Sequence, residues 1–79
     1  MRIDKYLKVS RILKRRALAV EACDKGKIYI NGRVVKPSAQ VKLGDVVEVL
    51  FNSGTFKFKI LDIKETVKKE QAELLYEVL

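Results

Sequence analysis

The chain has 79 residues, 48% of them apolar and 34% charged, with four glycines and one proline, enough for one small core and too little for two domains. Histidine and tryptophan are absent and Cys23 is the single cysteine, which excludes disulfide frameworks, His-based zinc sites and His-dependent nucleophile dyads. Seventeen Lys and Arg against ten Asp and Glu give a net charge of +7, placed unevenly: residues 1–42 hold 12 basic and 3 acidic residues, and residues 43–79 hold 5 and 7. A surplus confined to the N-terminal half implies a polyanionic partner facing that half, and nucleic acid is the commonest such partner. No apolar run approaches the roughly 18 residues of a membrane span, and Met1-Arg2-Ile3-Asp4-Lys5 does not open a leader, so the chain is expected in the reducing cytoplasm with no membrane partner.

In chain order, residues 4–9 read as a short helix with Ile3 and Leu7 spaced for one core, Asp4 at its start and Ser10 at its end. Lys14 to Lys25 reads as a second helix rich in alanine, stopped at Gly26, with Leu7, Leu13, Ala17, Val20 and Cys23 forming the shared apolar face. Ile28-Tyr29-Ile30 and Arg33-Val34-Val35 flank Asn31-Gly32, the pair favoured where both turn residues need positive φ, which predicts a tight hairpin. Leu43-Gly44-Asp45 is a turn before a strand over Val46 to Phe51, with Val47, Val49 and Phe51 on one face, and Asn52-Ser53-Gly54-Thr55 is a hairpin connection. Phe56, Phe58 and Ile60 alternate with Lys57, Lys59 and Leu61 as in a half-exposed strand. Ala72, Leu75, Tyr76 and Leu79 fall at helical spacing, which predicts an amphipathic helix from about residue 68 to 79. The fold class expected is α+β: two short N-terminal helices packed on a small antiparallel sheet, with a C-terminal helix.

Arg2, Lys5, Lys8, Arg11, Lys14, Arg15 and Arg16 place seven cations in sixteen residues against one acid, Asp4. A merely soluble surface mixes signs, whereas tracking phosphates needs such a density of long donors. Lys14, Arg15 and Arg16, if helical, point about 100° apart, so the three cannot all face one strand of nucleic acid. Asp4 either caps the first helix and orients Arg2 or Arg16 by an ion pair, or accepts hydrogen bonds from a base or 2′-OH. Asn31 belongs to the turn, and Lys27, Arg33 and Lys36 beside it extend the basic surface. Tyr6 and Tyr29 are candidates for stacking on unpaired bases, against the commoner role of aromatics as core; Phe51, Phe56 and Phe58 read as core. Cys23 reads as a small buried apolar residue, and the serines lack an activating imidazole, so no enzyme activity, metal or cofactor is expected.

The run Arg2-Ile3-Asp4-Lys5-Tyr6-Leu7, then Ser10-Arg11, Arg16, Ala19, Gly26, Ile30-Asn31-Gly32 and Leu43-Gly44-Asp45, resembles the RNA-binding domain named after small-subunit ribosomal protein four. Lys8-Val9-Ser10-Arg11, Lys14 to Ala19, Lys36-Pro37-Ser38 and the tail Glu73-Leu74-Leu75-Tyr76 are similar to the short, single-domain family of RqcP and the fifteen-kilodalton heat shock protein, over essentially all 79 residues. The resemblance implies one RNA-binding domain over 1–79 that holds the large ribosomal subunit carrying peptidyl-tRNA, through ribosomal RNA and tRNA, in ribosome-associated quality control of stalled chains. It also implies a monomer whose protein partner would be a nascent-chain tailing factor on the obstructed subunit. Heat shock members carry a longer basic C-terminal extension, which favours the RqcP-like role here. By this resemblance and the charge pattern, the RNA-binding residues expected are Arg2, Asp4, Lys5, Lys8, Arg11, Lys14, Arg15, Arg16, Asn31, Arg33 and Lys36. Two readings stay open beside it, a general ribosomal RNA accessory module and a DNA-reading helix-turn-helix; the alanines of the second helix leave the latter few side chains to read bases.

Overall fold

A computed structural model describes residues 1–79. Helix α1 spans Ile3–Val9 and helix α2 Arg16–Asp24; strands β1 (Ile28–Ile30), β2 (Arg33–Val34), β3 (Val46–Phe51) and β4 (Gly54–Ile60) follow, then a 3₁₀ helix over Lys69–Leu75 and strand β5 (Tyr76–Val78). The strands form one antiparallel sheet in the order β2-β1-β3-β4-β5. The two α-helices pack on it, as the α+β expectation requires.

Helix α1 forms because Ile3, Tyr6 and Leu7 recur at i, i+3 and i+4 and are fully buried, while Lys8 faces water. Its N-terminus is fed by backbone: the Ile3 N–H donates to the Ala39 carbonyl at 2.8 Å and the Asp4 N–H to that of Pro37 at 3.3 Å. The Lys5 N–H donates to Asp4 Oδ1 at 2.8 Å, so the donors of the first turn are all matched. Asp4 therefore caps from inside the first turn, and Arg2 is the flanking residue.

Helix α2 starts at Arg16, two residues later than the composition suggested, and leaves Lys14 in a bend and Arg15 extended. Its buried stripe is Ala19 and Cys23, whereas Ala17 is exposed and Val20 is only half-buried. Ala19 and Cys23, one turn apart, are the small residues that join the core shared with α1, and Ala17 is left in solvent. The helix ends in a Schellman motif, with Gly26 N–H to the Cys23 carbonyl at 3.0 Å and Lys27 N–H to that of Ala22 at 2.9 Å, at a φ of 70° that glycine adopts without strain.

Asn31 and Gly32, at φ 52° and 82°, form the predicted tight hairpin turn. The second strand of that hairpin is shorter than expected, because Val35 turns away after donating its N–H to the Ile28 carbonyl. On β3, Val47 and Val49 are buried but Phe51, at the hairpin end opposite Gly54, is 41% exposed. Only Asn52 and Ser53 connect β3 and β4. Phe58 and Ile60 are buried, and Phe56 is half-buried.

The C-terminus departs most from the helical reading. Ala72 and Leu75 are buried three residues apart, which suits a 3₁₀ turn as well as an α-helix, and at Tyr76 the chain becomes a strand. The edge of β4 offers unpaired backbone groups, and the pairs Phe58–Val78, Lys59–Glu77 and Ile60–Tyr76 fill them, which a continued helix would leave to water. Tyr76 then joins Tyr6, Phe56 and Phe58 in an aromatic cluster with ring centroids 5.4–6.3 Å apart. No helix is long and apolar enough to cross a membrane.

Candidate nucleic-acid interface

The centre of the basic surface is a buried acid. Asp4, 1% exposed, receives Arg2 Nε and Nη2 on its two oxygens at 3.2 and 3.0 Å, and Arg16 Nε lies 3.3 Å from Oδ2. Both arginine side chains remain nearly half exposed, at 45% and 46%. One carboxylate cannot neutralise two arginines, so the cluster presents a net positive charge with two planar forks held in place. Asp4 points inward with its oxygens already occupied: it holds Arg2 and Arg16 in place and accepts the Lys5 N–H at the start of α1.

Lys8, Arg11 and Lys14 line one groove at the end of α1 and in the α1–α2 loop. None of them makes an ion pair, nor do Arg15, Arg33 and Lys36, all exposed. Arg11 occupies the position after the helix cap at φ 60°, the left-handed region, where glycine is usual. Arg15 flanks the start of α2, Arg33 stands on edge strand β2, and Lys36 opens the turn whose Pro37 carbonyl meets Asp4.

Two expected contact residues are committed elsewhere. Lys5 is half-buried and pairs with Glu65, holding that carboxyl below the ordinary carboxylate range. The Asn31 amide is spent within the fold: Oδ1 accepts from the Val46 N–H at 2.9 Å and Nδ2 donates to Asp45 at 3.0 Å, tying the hairpin turn to the Leu43-Gly44-Asp45 turn. Nor is Tyr6 available to stack on a base. It is fully buried, its hydroxyl donates to the Leu75 carbonyl at 2.7 Å, and burial pushes its pKa up. Tyr29 is half-buried between the core residues Ile28 and Ile30, on the opposite sheet face in a row with Glu48 and Lys57.

Lys69 was not legible as part of this surface. It sits in the acidic half of the chain beside Glu70, yet the fold brings it to the groove of Lys8, Arg11 and Lys14. Cys23 is buried and its thiol is pushed up to about 11 by desolvation, then by the charges of Asp4 and Asp24. The exposed side of α2 carries Glu21 and Asp24, acids on the helix that would have to enter a DNA groove in the helix-turn-helix reading.

Helices α1 and α2 on a small sheet, with one cationic face organised around a buried carboxylate, define a polyanion-binding module. The S4 domain profile matches residues 1–47, the segment that holds every expected contact residue. The chain is 48% identical over 79 residues to the "RQC P-site tRNA stabilizing factor" of Streptococcus pneumoniae, covering 100% of this chain and 90% of the relative. It is 50% identical over 78 residues to the protein of the same name from Halalkalibacterium halodurans, covering 99% and 89%. Among solved structures, the trimeric heat shock protein 15 of Vibrio cholerae superposes with a TM-score of 0.93 at 29% identity, covering 100% of this chain and 81% of that one. The chain belongs to the S4 domain family, in the group of RQC P-site tRNA stabilizing factors.

Proposed function

We propose that this chain binds RNA through its cationic face and, on large ribosomal subunits carrying peptidyl-tRNA, holds the P-site tRNA during ribosome-associated quality control in the cytoplasm. The contacts are Arg2 and Arg16 on their shared carboxylate, with Lys8, Arg11, Lys14, Arg15, Arg33 and Lys36 around them. The action is docking without chemistry: fixed guanidinium forks grip phosphates, and a rigid surface reads RNA shape and 2′-OH groups. The protein acts as a monomer, with ribosomal RNA and tRNA as its partners and a tailing factor on the same subunit. What carries this reading is the coincidence of the Asp4-anchored arginine pair with full-length similarity to factors named for stabilizing tRNA.

Gradient fractionation of ribosomes with the tagged chain tests it. The wild type should travel with large subunits that retain peptidyl-tRNA and lose occupancy when puromycin strips them; Arg16→Ala and Arg2→Ala, both at exposed side chains, should move to the soluble fractions while staying folded by circular dichroism. Equal binding to empty subunits would favour a general ribosomal RNA accessory module, and variants that still cosediment would overturn the proposal.

A further inference from the structure

The groove between the α1–α2 loop and the C-terminal segment has a composition that the rest of the surface lacks. Its rim carries four cations, Lys8, Arg11, Lys14 and Lys69, and its apolar wall is Val9, Leu13 and Val67. At about 450 Å³ it falls in the size range of small-molecule sites, with room for a nucleotide and not for a duplex. The single acid on the lining, Glu65, is drawn off by Lys5, so the four rim charges stay uncompensated. A cationic rim over an apolar wall is the complement of one nucleotide, whose phosphate is charged and whose base has apolar faces.

We infer that this groove seats one unpaired nucleotide of the bound RNA, its phosphate against Lys8, Arg11, Lys14 and Lys69 and its sugar and base over Val9, Leu13 and Val67. The inference rests on the RNA-binding reading above and adds to it a residue from outside the family-matched segment, Lys69, and a requirement for unpaired RNA. Lys5 is a positioning residue here: it touches Glu65 rather than RNA, and keeps that carboxylate from repelling the phosphate.

The experiment is fluorescence anisotropy with two labelled probes, a tRNA with unpaired loops and ends and a blunt RNA duplex, each titrated over a range of salt. Lys69→Ala should weaken tRNA binding about fivefold, with duplex affinity unchanged. Lys57→Ala, on the far side of the sheet, should change neither. Lys5→Ala should weaken tRNA binding, and Lys5→Ala with Glu65→Gln should restore it. Arg16→Ala should weaken both probes. If Arg16→Ala weakens binding while Lys69→Ala has no effect, or loses duplex and tRNA alike, the groove seats no nucleotide although the chain binds RNA. If Lys5→Ala is not restored by Glu65→Gln, the role of Lys5 is wrong. Should Arg16→Ala leave both probes unchanged, the RNA-binding reading fails first.

Discussion

Arg11 and Asp4 show how single side chains serve the surface at the expense of the fold. A non-glycine residue in the left-handed region costs roughly 1–2 kcal/mol, and Arg11 accepts that cost at a position where glycine would end the helix freely. Arg11→Gly is therefore expected to raise the melting temperature by about 4–8 °C, about 1 kcal/mol for a domain of this size, while weakening tRNA binding about fivefold. A thermal melt beside an RNA titration checks both, and a variant that melts lower would mean that the arginine has packing value. Asp4 works in the opposite sense. Asp4→Ala releases both guanidiniums and the Lys5 N–H, and because the arginines stay half in water the cost should be about 2 kcal/mol rather than that of a sealed ion pair. Urea unfolding should show a lower midpoint at an unchanged slope. The carboxylate itself was legible, since one acid among seven cations asks for a reason; its burial was not, because that depends on Pro37 and Ala39 lying across the start of α1.

At the level of elements, signals that close within a few residues were readable and those that close across the chain were not. Asn31-Gly32, Gly26 and the alternation of Phe56, Phe58 and Ile60 each determine local backbone, and each element stands where those residues put it. The stretch from Lys69 to Val78 carries apolar spacing compatible with a helix, and the free edge of β4, a partner no local pattern reveals, decides that its last residues form a strand. Two ties fix this segment to α1: the Tyr6 hydroxyl on the Leu75 carbonyl, and Lys5 on Glu65. The Leu75 carbonyl also accepts the Leu61 and Asp62 N–H groups at 2.9 and 3.1 Å, so Tyr6→Phe leaves no orphan and should cost only about 1 kcal/mol. The same tyrosine predicts alkaline sensitivity. Its folded pKa lies above the unfolded value near 10, so its contribution is complete below pH 10 and is lost as pH rises further. The Cys23 thiol adds a loss over the window from about 9 to about 11. Melts recorded from pH 8 to 11 should show a falling midpoint, shallower in Tyr6→Phe; a flat profile would mean that neither group is held protonated by the fold.

For the molecule as a whole, the sheet and the helices divide the charge. The outer sheet face sets Glu48 against Lys57 and Glu77 against Lys59, a balanced surface, while Lys8, Arg11, Lys14, Arg15 and Lys36 stand unpaired on α1 and in the loops, with Arg33 on the edge strand β2. With the groove cations sharing one phosphate and Arg2, Arg15, Arg16, Arg33 and Lys36 taking one each, about six phosphates are neutralised, and the slope of log affinity against log salt should be about −4 to −5; a slope near −1 would leave most of the face idle. That asymmetry was plain in the sequence as a count. Which cations are spent was hidden, because Lys5 and Glu65 are sixty residues apart. A fragment ending at residue 64 keeps every expected contact residue and the family-matched segment, yet it loses Ala72, Leu75 and Tyr76 from the core. Stabilities of small domains are only about 5–15 kcal/mol, and removing one buried leucine side chain costs about 2–5. The fragment should therefore show no cooperative melt and no tRNA binding.

The hydroxyl of Tyr6 finds its acceptor 69 positions downstream, and this orders events at the chain's own birth. While a ribosome is still adding those later positions, the core that covers α1 lacks Leu75 and Tyr76. A copy still lacking Leu75 has no acceptor for that hydroxyl, so the tie between α1 and the C-terminal segment closes only when nearly the whole chain has been made.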